Sequence, residues 1–202
     1  MAKSRGVSAD AVRSAACELF ADRGYRGTSM KDIARVLDVS APNLYNHTVS
    51  KQDLLFGIMD GAMDRALAAH DAAVAGVEDA AERLRRATEA SVLDFLAHPA
   101  EITVCNTEIR SLDDGHRAAI IGKRDGYAAR IRGIVDRGCA EGRFSTPQPR
   151  VATFAILELP ANAKAWFHER GELPAAEVAR IYGQFALHIV GSRAGGRRQK
   201  LR

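Results

Sequence analysis

Asn43, Tyr45, Asn46 and His47 bring two amides, a phenol and an imidazole into five consecutive positions, with Leu44 the one apolar side chain among them. Amide groups can pair with base edges, and phenol or imidazole groups can reach bases or phosphates. A short helix that turns these residues outward and Leu44 inward therefore has the chemistry of a DNA reader. Thr28, Ser29 and Lys51 stand where helices are expected to begin. Free N–H groups and the helix dipole favour a phosphate at such a start, and Lys51 adds a charge. With Ser40, Ala41 and Pro42 at the head of the polar helix, these residues form the candidate DNA-contacting set.

Other chemistries find little support. The chain holds no G-x-G-x-x-G, Walker A, H-E-x-x-H or G-x-S-x-G pattern. His47, His70, His98, His116, His168 and His188 include no i, i+4 ligand pair, so no metal site is expected. Glu108 with Asp113 or Asp114 reads as solvated charge at a helix end. Cys17, Cys105 and Cys139 lie far apart, which suggests neither a disulfide framework nor a zinc knuckle and fits a reducing cytoplasm. No enzyme activity and no cofactor are expected.

The elements that must position the reader follow from periodicity and caps. Of the 202 residues, 47% are hydrophobic and 27% charged, and strand-like Val-Ile-Thr alternation is scarce, so the fold is expected to be all-α. A first helix runs from Ser8 to Arg23, with Val12, Ala15, Ala16, Leu19 and Phe20 on one face and Gly24 at its end. Ser29 and Asp32 form a capping box for a short second helix that buries Ile33, Ala34 and Leu37. Asp38-Val39 makes a tight turn, and Ser40 caps a third helix, Ala41 to His47, with Pro42 in its first turn. Ser50 and Asp53 form another capping box, opening a fourth helix that runs from Lys51 to about Ala73. Further helices are expected near 78–97, 100–112, 116–141, 147–170 and 174–191, nine in all. The implied domains are a helix-turn-helix domain over 1–50, a second helical domain over 51–191 and a disordered basic tail over 192–202.

Charge is distributed in keeping with this. Residues 1–51 carry eight Lys/Arg against five Asp/Glu, residues 193–202 carry five against none, and the stretch between carries 16 against 20. Basic ends on an acidic body suit a molecule that presents one side to a phosphate backbone. Charges interrupt the first thirty residues and no run of eighteen apolar residues occurs, so neither secretion nor a membrane partner is expected.

Phe20-Ala-Asp-Arg-Gly-Tyr-Arg-Gly-Thr-Ser-Met-Lys-Asp-Ile-Ala, then Val39-Ser-Ala-Pro-Asn-Leu-Tyr-Asn-His and Ser50-Lys-Gln-Asp-Leu-Leu, resembles the DNA-binding signature of the tetracycline-repressor (TetR) family. One departure is Thr48, where the family usually has an aromatic residue after the histidine. The resemblance implies a repressor acting as a homodimer on a pseudo-palindromic operator in double-stranded DNA, with half-sites about one helical turn (~34 Å) apart. It also implies that the last two long helices pair across a two-fold axis. Phe154, Leu157, Ala161 and Ala165 form one stripe suited to that, and Val178, Ile181, Tyr182, Phe185 and Ile189 another; an intramolecular core remains the alternative for each residue.

In the second half, Thr107-Glu-Ile-Arg-Ser-Leu-Asp113, Lys123-Arg-Asp-Gly-Tyr127, Ala165-Trp-Phe167 and Gly171-Glu-Leu-Pro174 resemble a subset of the family that senses acyl-coenzyme A thioesters of fatty-acid and steroid breakdown. The implied effector is small and hydrophobic, with Cys105, Ile109, Arg110, Arg124, Tyr127, Ile131, Leu157 and Trp166 as candidate contacts and Arg110, Lys123 and Arg124 as cations for an acidic head. Trp166 could wall the pocket or fill core with its N–H bonded. The alternative effector is a lipophilic cation, held by carboxylates such as Glu108 or Glu158 with aromatic walls.

Overall fold

The first two helices each begin where a serine side chain satisfies a backbone N–H. The computed structural model of the chain describes residues 7–46, 50–168 and 170–192. Among these it contains nine α-helices and one 3-10 turn, and no strand. Helix α1 (Ala9–Arg23) starts with the Ala11 N–H donating to Ser8 Oγ at 3.1 Å. It ends at Gly24, whose φ of +75° lies in the region that side chains disfavour. Helix α2 (Met30–Val36) has a closed capping box. The Asp32 N–H donates to Ser29 Oγ at 3.2 Å, and the Ser29 N–H donates back to the Asp32 carboxylate at 2.9 Å. The turn after it passes through Asp38 at φ +53°.

Helix α3 (Ala41–Leu44) is shorter than the expected Ala41 to His47. Leu44 is its only buried side chain, and the next amides, Tyr45 and Asn46, bond three residues back to Pro42 and Asn43. With one apolar anchor, the helix tightens into a 3-10-like exit. His47 and the departing Thr48 lie outside the described residues, as does the basic tail beyond Ser192.

The remaining helices are α4 (Lys51–Val74), α5 (Ala80–Ala97), α6 (Pro99–Thr107), α7 (Asp114–Ala140), α8 (Pro149–Trp166) and α9 (Ala175–Ile189), with the 3-10 turn Ile109–Ser111 after α6. The helix expected over 100–112 breaks at Glu108, where the Ser111 N–H bonds the Glu108 carbonyl at 2.8 Å and closes the tighter turn. The helix expected over 147–170 stops at Trp166, because Phe167 turns extended (φ −68°, ψ 136°) and packs against the cluster of Val92, Leu96 and Val178. Pro160 stands inside α8.

The helices gather into two compact units. The first unites the described residues of Met1–Arg65 with those of His98–Lys123. It exceeds the 1–50 division because three short helices bury too little on their own. Leu54, Leu55, Ile58 and Met59 of α4, with Val104, Cys105 and Ile120 from α6 and α7, complete one cluster around Phe20, Ile33 and Leu44. The second unit joins the described residues of Ala66–Ala97 and Arg124–Arg202. Its core falls into two clusters, one around Leu84, Ile131, Val135, Phe144 and Ile156, the other around Val92, Val178 and Tyr182. Helices α4 and α7 each run from one unit into the other.

Candidate functional site

The reader is built on α3. Leu44 is fully buried in the core of the first unit, which turns Asn43, Tyr45 and Asn46 to solvent; Tyr45 is 55% exposed. Ser29, Ser40 and Pro42 are also exposed and Ala41 is half-buried, so the starts of α2 and α3 lie at the same kind of surface as the amides and phenol. Ser40 makes no side-chain cap bond. Bonding to Ser29 holds the Asp32 carboxyl below its ordinary range, with Arg35 adding to the effect.

Two residues expected at phosphate are turned inward. Thr28 is 2% exposed, and its hydroxyl faces the carbonyls of Leu19 (3.2 Å) and Gly24 (3.0 Å). The Lys51 ammonium donates to the carbonyls of Tyr25 and Thr28, both at 2.8 Å, and sits 4.0 Å from the Tyr25 ring centre. Burial pushes its pKa down while the charge of Glu108 opposes the shift. Lys51 thus braces the loop between α1 and α2 from behind.

Gln52, which sequence reasoning missed, completes the brace. Its Nε2 donates to the Tyr25 hydroxyl at 2.9 Å and the Ser111 carbonyl at 2.6 Å, and its Oε1 accepts from the Asp113 N–H at 3.3 Å. The second of these bonds spans 59 positions in sequence, beyond the reach of any local pattern.

In the second unit a narrow crevice opens beside the larger cluster. Ala87, Thr88 and Ser91 of α5, Tyr127 and Ile131 of α7, and Ile156, Leu157 and Pro160 of α8 line it. The enclosed cavity is about 10 Å³, room for one water-sized group, within about 210 Å³ of free space that includes the open mouth; sites that enclose drug-sized ligands hold roughly 300–1,000 Å³. The Tyr127 phenol is hydrogen-bonded with Ser91; burial pushes its pKa up, the Ser91 bond opposes this, and the charge of Asp94 raises it further.

Of the eight expected effector contacts, Tyr127, Ile131 and Leu157 meet at this crevice. Cys105 belongs instead to the core of the first unit, with Ile109 packed on that core and Arg110 exposed. Its neighbour Cys17 has a thiol pushed up to about 12, mainly by burial, and stays protonated. Arg124 is half-buried and is not among the lining residues. Lys123 spends its ammonium on Asp60 (2.5 Å) and Asp64 (2.6 Å). Trp166 is 48% exposed, neither pocket wall nor core, and its Nε1–H donates to the Tyr182 hydroxyl at 3.1 Å. Ala87, Thr88, Ser91, Ile156 and Pro160 are lining residues that sequence reasoning missed.

The expected dimer stripes divide. Phe154, Ala165 and Phe185 face solvent, whereas Val178 and Tyr182 are buried within the chain. Among the described residues no helix is long and apolar enough to cross a membrane, and no group of three or more His, Cys, Asp or Glu side chains could hold a metal ion.

Comparison with known proteins covers both units. Residues 12–58 match the family model described as bacterial regulatory proteins, tetR family, and residues 77–190 match one described as the tetracyclin repressor-like C-terminal domain. The HTH-type transcriptional repressor KstR2 of Mycobacterium tuberculosis is 24% identical over 169 residues, which are 83% of this chain and 84% of that one. A solved tetR-family regulatory protein from Rhodococcus RHA1 superposes with a TM-score of 0.85 at 30% identity, covering 96% of this chain and 100% of that one. AibR, solved in complex with isovaleryl coenzyme A and operator DNA, gives a TM-score of 0.79 at 25% identity over 92% of this chain and 99% of its own.

Proposed function

The chain belongs to the TetR family of bacterial transcriptional regulators, and from that premise we propose a repressor whose homodimer binds a pseudo-palindromic DNA operator and is released by a small hydrophobic effector of the acyl-coenzyme A or fatty-acid class. The observation that carries the DNA-reading part is α3 itself. One buried leucine anchors a turn whose other side chains, Asn43, Tyr45 and Asn46, are free to reach bases. His47 completes the proposed set. Ser29, Ser40, Ala41 and Pro42 bring helix starts to the phosphates, while Thr28 and Lys51 act by shaping the loop behind them.

The exposed Phe154 and Phe185 on α8 and α9 support pairing of these helices with a second copy. The likeness to AibR supports the effector class. Ile131, Ile156, Leu157 and Pro160 give the crevice an apolar side, as an acyl chain requires. Helices α4 and α7, shared by both units, are the covalent route by which an effector would shift the readers away from one DNA turn. Such a regulator works in the cytoplasm.

The test is selection of an operator from random duplexes, followed by anisotropy measurements with the full chain between about 50 and 200 mM salt. Binding should fall steeply with salt, and hexanoyl-coenzyme A should release the duplex. Lys51→Gln should weaken binding yet leave the salt slope unchanged, since a brace touches no phosphate; a direct contact would lower the slope by about one. Salt-insensitive binding, or an operator complex indifferent to both hexanoyl-coenzyme A and hexanoate, would overturn the proposal.

A further inference from the structure

The crevice has a chemical bias that its shape alone does not reveal. Every side chain lining it is uncharged, and its polar groups are the hydroxyls of Thr88, Ser91 and Tyr127. Thr88 already donates to the Leu84 carbonyl at 2.9 Å, so its hydroxyl can only accept. Two hydroxyls sharing one hydrogen bond still hold a second O–H hydrogen, and the Tyr127–Ser91 pair can therefore donate to a ligand oxygen. Burial keeps the phenol protonated and hence a donor.

The same walls are hostile to ions. Pro160 has no N–H for the carbonyl of Ile156, so the stretch of α8 that lines the crevice carries a carbonyl without its regular helical partner and offers no extra donor to an anion. The carboxylate charge of Asp94 acts on Tyr127 and disfavours an anion there. No lysine or arginine is among the lining residues to hold an anion. A cationic ligand would in turn find no carboxylate among the lining residues.

We propose that this crevice takes a neutral, oxygen-bearing apolar group, a ketone, alcohol or thioester carbonyl on a short chain, and that Tyr127 with Ser91 determines this specificity. The inference rests on reading the crevice as the effector site. A free carboxylate or the acidic head of a thioester stays outside it.

Calorimetric titration of the full-length protein with hexan-2-one, hexanoate and hexyltrimethylammonium tests the chemistry without any operator. The ketone should bind more tightly than either ion. Tyr127→Phe should weaken the ketone about three- to tenfold, the loss of one hydrogen bond, and leave the ions unaffected. Ser91→Ala should act in the same direction, so a folding defect in one variant leaves the other informative; melting curves identify such a defect. No ketone binding, tighter binding of either ion, or wild-type ketone affinity in both folded variants overturns the inference. If instead the ketone binds in a Tyr127-dependent way but leaves the operator complex intact, the specificity stands and the effector role fails.

Discussion

The two units reach stability by different means. In the first, a single cluster joins side chains from α1, α2, α3, α4, α6 and α7, and side-chain hydrogen bonds from Thr28, Lys51 and Gln52 tie loops to helices. In the second, the core is split in two, a crevice flanks the larger part, and a proline interrupts the helical hydrogen bonding of α8. A reader must hold three or four side chains to sub-ångström geometry, which a single core with braced loops provides. A sensor must admit a guest, and a divided core with unfilled space gives way at lower cost.

That contrast is most sharply tested by cutting the single core. Phe20 is fully buried and meets Tyr25 edge-on, with ring centres 5.3 Å apart. Phe20→Ala should cost about 3–5 kcal/mol in urea unfolding and remove operator binding. A loss below about 1 kcal/mol would show that the first unit does not depend on one cooperative core. In the second unit the complementary experiment adds volume. A Cβ at Gly138 would lie 2.2 Å from two atoms of the Phe144 ring, and the Gly138 carbonyl already accepts the N–H groups of Arg143 and Phe144. Gly138→Ala should therefore cost about 1–3 kcal/mol. A neutral outcome would mean that the ring swings aside freely, making this core more plastic than its packing suggests.

Legibility in the sequence follows the same division. The reader was legible because its determinants act within a few residues: Gly24 ends α1, Ser29 and Asp32 cap α2, Asp38 turns the chain, and Ser40 with Pro42 starts α3. What escaped was the inward use of Thr28 and Lys51 and the whole role of Gln52, because a helix start looks the same whether its side chain meets phosphate or a neighbouring loop. The crevice was only partly legible. Periodicity assigns a residue to a helix face without saying which helix covers it, and α7, 27 residues long, serves the first core with Ile120 and the second with Ile131. Cys105, Ile109 and Arg110 were therefore grouped with residues of the other unit. The readable signal that went unused was Pro160, since a proline inside an apolar helix removes a hydrogen bond and marks a place where packing is irregular.

The smallest expected effect concerns His70, on α4 within the second unit. Its ring is 4% exposed, meets the Tyr127 ring edge-on at 5.7 Å, and carries an Nδ1 with no hydrogen-bond partner. Burial lowers its pKa below the ordinary 6.5; Asp71 opposes this, and Arg130 and Arg83 add to it. A histidine that takes up a proton more readily once unfolded contributes stability in full above the unfolded value of 6.5, and that contribution is lost as pH falls through the lower folded value. Stability should thus decline between about pH 7 and pH 5 with a component that His70→Leu removes. Acid loss from Glu82, whose carboxyl the bonded Arg85 and Arg86 hold at about 2, begins only below its ordinary 4.5, so the two groups separate cleanly on the pH axis. Urea midpoints of the two proteins at closely spaced pH values measure this directly. Parallel curves above pH 5 would mean that His70 stays equally easy to protonate in the fold, and that the second unit opens to water behind Tyr127 far more than its packing implies.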